Sequence, residues 1–169
     1  MAAANQPKGS ISSGSIKPVT RKAVRCQREV AWLVTQAAGK LVATTDDVNA
    51  PTPSFVLAAA LSYTREQVRA ALDGGHAIDY DTVMAPDLAS FCQAAGLPAA
   101  PNALSDAGYM FTLSGADLIR DVYAYCGGLG ERMGSAVEIK PGYAIKLALR
   151  MFLLGKISAT STTADKTSA

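Results

Sequence analysis

The chain has little of what a catalyst, a secreted scaffold or a membrane protein needs. Its three cysteines, Cys26, Cys92 and Cys126, lie far apart, are odd in number and include no C-x-x-C pair, which argues against both a disulfide framework and a zinc site. Reduced thiols are the expectation. Histidine occurs once, at His76 after Gly74-Gly75, with no sequence-local partner for a catalytic triad or a metal set. A turn or loop position suits it better. Nothing calls for a cofactor or a metal, and no catalytic set is legible, so the expectation is a protein that is not an enzyme. The longest apolar run, Phe55 to Leu61, is far short of a membrane span, and Met1 to Ser15 lacks the apolar stretch of a secretory signal. Neither a transmembrane segment nor secretion by a signal peptide is expected. Asn-x-Ser/Thr is absent and alanine follows Met1, which leaves glycosylation and myristoylation without support.

Aromatic residues are also scarce, at 7%, while alanine is abundant. A core of small and aliphatic side chains suits closely approaching helices better than a β-sandwich. With 169 residues, 49% of them apolar, one compact domain has enough material for a sizeable core. The expected fold is therefore mainly α, a bundle-like helical domain over residues 19–157, with flexible arms at 1–18 and 158–169. The first arm is rich in Ser, Gly, Ala and Lys with Pro7 and Pro18, the second in Ser, Thr and Ala, and both are too polar and broken to pack.

The net charge of +2 conceals a segregation. Residues 1–28 carry six basic side chains and no acid, for +6; residues 29–139 come to −8; residues 140–169 come to +4. Basic ends flank an acidic middle. Such a distribution suits a polyanionic partner, and it also suits head-to-tail contacts between copies of the chain.

Thr20 reads as the cap of a helix running to about Val42, with Val24, Ala31, Val34, Ala38 and Leu41 at helical steps. After the breaker Asn49-Ala-Pro-Thr-Pro53, Ser54 to Leu61 reads as one short helix. A capping box at Thr64 and Gln67 opens a second, which ends at Gly74-Gly75. Ala77 to Met84 reads as a loop or poor strand, Pro86 to Ala95 as a helix stopped by Gly96, and Tyr109 to Leu113 as a strand. Ser114 should cap a helix to Cys126 that Gly127-Gly128 stops. The last helix, Pro141 to Gly155, shows an apolar stripe of Ile145, Leu149, Phe152 and Leu153, with Lys146 and Arg150 on another stripe.

On a helix, Arg21, Arg25 and Arg28 would share one face and meet successive phosphates; Lys17 and Lys22 extend the cluster. Lys146 and Arg150 would offer a second basic stripe for an anionic membrane surface or a nucleic-acid groove. Trp32 and Tyr143, close to these segments, would serve either as stacking platforms for bases or as core residues. The glycine-rich stretch Cys126 to Gly134 lacks the Lys-Ser/Thr of a P-loop and reads as a helix terminator. The pairs Asp46-Asp47, Asp79 with Asp81, and Asp117 with Asp121 have no recognised ligand spacing, and capping or solvation accounts for them.

In organisation, this layout resembles the coat proteins of rod-like and flexible filamentous RNA viruses. The resemblance carries no residue roles. It implies a self-assembling structural protein, in a virion or the cytoplasm, whose partners are further copies of itself and nucleic acid, namely RNA. From the basic clusters, the expected contacts are Lys17, Arg21, Lys22, Arg25, Arg28, Lys146 and Arg150. Two rivals stand beside it: a DNA-binding regulator with a helix-turn-helix between Ser54 and Leu72, and an enzyme with a dispersed site near His76 and Asp79.

Overall fold

Helix α6 (Pro141–Leu154) is the centre of the molecule. From Ala144 to Leu153 every residue except Lys146 is buried, as expected for a helix apolar on nearly all its faces. Around it pack α1 (Glu29–Thr44), α2 (Pro53–Asp73), the short α3 (Tyr80–Met84), α4 (Leu88–Ala95) and α5 (Ala116–Arg132). A ribbon of β1 (Arg21–Cys26) and β3 (Tyr109–Ser114) closes one side. The computed structural model describes residues 19–44, 49–101, 104, 108–133, 138–155 and 159–160. The fold is a mainly helical single domain, as the composition implies. Among the described residues no helix is long and apolar enough to cross a membrane.

The strands follow from period-two patterning. In the antiparallel register Arg21 faces Ser114 and Cys26 faces Tyr109. Val24, Cys26, Phe111 and Leu113 point into the core, while Arg21, Ala23, Arg25, Met110, Thr112 and Ser114 face outward. The helix expected from Thr20 to Val42 is thus corrected: its first third is a strand, and the helix starts at Glu29. Val24 and Cys26 are buried two residues apart, a spacing that a helix would send to different faces.

Two short helices between Ser54 and Asp73 are in fact one. Thr52 caps α2 by accepting the Phe55 N–H, with Pro53 in the first turn. Thr64 does not cap; it is buried in mid-helix, its hydroxyl directed at the Ala148 carbonyl. The loop expected at Ala77–Met84 holds strand β2 (Ala77–Ile78) and α3, capped by Asp79. Helix α4 starts at Leu88 rather than Pro86, with Asp87 as its cap, and ends as expected at a left-handed Gly96. Capping hydrogen bonds from Thr82 and Ser90 hold the Asp79 and Asp87 carboxyls below the usual 3.8. The stabilisation from both caps is therefore complete above about pH 4 and is lost as pH falls through the lowered values. Of the expected C-terminal arm, Ala159–Thr160 form β4 against β2; its other residues, and the arm at 1–18, lie outside the described residues.

Gly127-Gly128 does not end α5. The helix runs on to Arg132, neither glycine has positive φ, and a Cβ at either would meet nothing within 4 Å. The Ser114 cap is likewise absent, since Gly115 takes that position without a side-chain bond. Gly127→Ala should therefore stabilise the protein by roughly 0.5–1 kcal/mol, read as a higher urea midpoint. A loss of stability would mean the glycine pair is a helix terminator after all.

Candidate nucleic-acid interface

The first turn of α1 brings Glu29 beside the middle of α6. One Glu29 oxygen pairs with the Lys146 ammonium, and the other accepts from Arg150 Nη2 at 3.0 Å. Arg150 is only 1% exposed. Its Nη1 donates to the Val83 and Pro86 carbonyls at 3.0 and 2.8 Å, and its guanidinium lies 4.6 Å from the Phe91 ring centre. The outward Lys146/Arg150 stripe is thus corrected, because Arg150 spends its charge inside the fold. Lys146, 15% exposed, also donates to Gln27 Oε1 at 2.9 Å.

In front of this cluster opens a groove of about 680 Å³ between the end of β1 and the start of α6. Arg25, Lys140 and Lys146 supply its cations; Tyr143, Met84 and Cys26 supply apolar wall; no carboxylate lines it. Behind the wall, two cations share the single Glu29 carboxylate, which leaves the floor positive as well. The uncapped N-terminus of α6 adds its dipole. Gly142 makes the geometry possible, since a Cβ there would sit 2.5 Å from the Arg25 carbonyl oxygen. Burial raises the Tyr143 hydroxyl above its ordinary pKa of 10.0, with the Asp81 carboxylate and Tyr80 adding to the effect. It stays a neutral donor. Burial alone pushes the Cys26 thiol up to about 11, so it is no nucleophile at neutral pH.

The expected contact residues are only partly brought together. Arg25 and Lys146 meet in the groove. Arg21 lies at the far end of the outward ribbon face, four residues and about 13 Å along β1. Lys22 is on the opposite face, its ammonium 4.4 Å from the Tyr123 ring centre. Arg28 is exposed in the turn between β1 and α1, and Arg21 and Arg25 are on a strand, so the three do not share a helix face. Lys17 lies outside the described residues. Lys140, Gln27 and Glu29 were missed; only Lys140-Pro141-Gly142, a helix start with its cation outside the first turn, signalled one of them.

A second, smaller cleft of about 310 Å³ is lined by Arg65, Arg69 and Arg132, but also by Asp73 and Asp121. Arg65 pairs with Asp121 at 3.3 Å, and the near balance of charge makes this the weaker anion site. His76 is exposed in the turn after α2, its N–H donating to the Ala71 carbonyl, and Asp79 is occupied with Thr82. Asp117 pairs with Arg120, while Asp46-Asp47 lies outside the described residues. Among the described residues, no three His, Cys, Asp or Glu side chains could hold a metal ion together. Compared with known protein families, curated proteins and solved structures, the chain matches none.

Glu29→Ala should cost about 3–5 kcal/mol, since it strands a buried guanidinium; Arg120→Ala, which breaks an exposed pair, should cost under about 1 kcal/mol. Equal urea midpoints for the two variants would show that the Glu29 cluster does not hold the fold.

Proposed function

We propose that this chain is a self-assembling structural subunit that coats or packages nucleic acid, with RNA as the partner and the virion or cytoplasm as its place. The observation that carries this reading is the groove in which Arg25, Lys140 and Lys146 converge without a lining carboxylate. Ammonium and guanidinium groups on the wall of an open groove suit a phosphate backbone, which they contact without regard to sequence. Arg21 and Arg28, exposed nearby in the chain, and Lys8 and Lys17 in residues 1–18 extend the basic track. Arg150 has no part in it except as the fixed charge behind the floor.

Subunit contacts come from the arms in this reading. The Thr20 carbonyl accepts from the Gly115 N–H, and the Ser114 backbone N–H donates to Ser54 Oγ in the first turn of α2. Beside that point Phe55, 61% exposed, and Val42, 42% exposed, flank an apolar groove with Leu41, Pro51 and Ala59. Its lining fits an apolar segment of a neighbouring copy, for which the sequence of residues 1–18 offers Ile11 and Ile16. Phe55→Ser and removal of residues 1–18 should each lower the assembled mass seen by light scattering, with the fold retained by circular dichroism; unchanged mass in both would sink this contact.

The helix-turn-helix needs a turn between Ser54 and Leu72, where α2 is unbroken. The decisive test is binding to a single-stranded RNA across a salt series. Arg25→Ala and Lys140→Ala should each weaken binding and each flatten the plot of log affinity against log salt by about one unit, whereas Arg120→Ala should change neither. A wild-type protein that binds no nucleic acid at low salt and stays monomeric would overturn the reading.

A further inference from the structure

The groove is larger and less uniform than a phosphate site requires. At about 680 Å³ it falls within the ~300–1,000 Å³ of cavities that enclose small organic ligands. Its cations, Arg25, Lys140 and Lys146, are joined by Tyr143, Met84, Gly108 and Gly142. A phosphate uses the first group and has no use for the second. A flat, polarisable, partly apolar group with an anion attached uses both.

Tyr143 is suited to that role by its position. It stands in the first turn of α6, between Lys140 and Lys146 in sequence, half-buried and so held in place, yet open to the groove. A tyrosine ring fixed by its neighbours gives up little rotamer entropy on stacking, and its hydroxyl remains protonated at neutral pH. The buried Tyr80 hydroxyl, without a hydrogen-bond partner among the described residues, lies close enough to influence it.

We infer that the groove receives one unstacked nucleotide of a single strand, with the base on Tyr143 against Met84 and the flanking phosphates on Arg25, Lys140 and Lys146. This rests on the coat reading and narrows it, because a duplex keeps its bases in the stack and can offer the groove only phosphates. A free nucleotide presents the same chemistry but only one set of contacts, so it binds far more weakly than a strand.

The test uses the full chain and a 12-nucleotide RNA with 2-aminopurine at its centre, presented as a single strand, as a duplex, and alongside adenosine monophosphate. Binding of the single strand should change the 2-aminopurine fluorescence through stacking on Tyr143, with affinity at least ten-fold above that for the duplex and for the mononucleotide. Tyr143→Leu should abolish the fluorescence change and weaken single-strand binding by roughly 5- to 150-fold, the equivalent of ~1–3 kcal/mol per stacked base, with duplex binding unaltered. Tyr143→Phe, which keeps the ring and the packing, should bind like the wild type and guards against misfolding of the leucine variant. Equal affinity of the wild type for strand and duplex, without a fluorescence change, overturns the nucleotide slot and leaves the coat reading intact. Tighter binding of the mononucleotide than of the strand also overturns it, and absence of binding to all three overturns both.

Discussion

A guanidinium shut inside a protein needs partners for its charge, and Arg150 sets that demand at the centre of this molecule. Both of its Nη atoms are bonded, while its Nε is buried without a hydrogen-bond partner among the described residues. Its partners come from three separate places: the carboxylate of Glu29 at the start of α1, the carbonyl of Val83 in α3, and the carbonyl of Pro86 ahead of α4. An apolar residue at 150 would leave those segments free to slide over α6. With arginine there, each must present its oxygen at hydrogen-bond distance, so one side chain fixes the register of three elements. Because Glu29 spends its second oxygen on Lys146, the same requirement sets the floor of the basic groove.

Other contacts complete the frame around α6. Lys40 of α1 donates to the Phe152 carbonyl at 2.7 Å, and Tyr63 of α2 donates to the Gly155 carbonyl at 2.8 Å, so two carbonyls at the end of α6 are satisfied by neighbouring helices. At the other end, Gly142 lets the β1 backbone approach to a distance no other residue permits. The helix is thereby held at its start, its middle and its end, and the groove lies at the start.

Much of the fold was legible. The helix-rich class followed from abundant alanine and few aromatics, the strand expected at Tyr109 to Leu113 coincides with β3, and the bounds of α6 followed from Pro141 and Gly155. What was misread shares one cause: local signals that tertiary packing overrode. Val24 fits a seven-residue step to Ala31 as well as a two-residue step to Cys26, and only the partner strand, some eighty residues away in the chain, decides between them. Gly127-Gly128 looks like a stop, yet the apolar face of Val122, Tyr125, Cys126 and Leu129 carries the helix through it. Arg150 looked like a surface cation because helical periodicity cannot tell a stripe facing water from one facing another helix. For the same reason the groove was only half visible: Arg25 and Lys146 stood out as charges, but their meeting depends on the chain's long-range topology.

That topology has a temporal side. Gln27 and Lys146, which touch across the groove, are 119 residues apart, and helices α1 to α4 lie between the two strands of the ribbon. Closing such long loops is slow and comes after local helix formation. A chain still emerging from the ribosome has β1 with its basic side chains, but neither the second strand nor the helix that completes the cavity. The composite groove therefore comes into being only once β3 and α6 have been made and have folded, and order of synthesis alone keeps shorter nascent chains from presenting it.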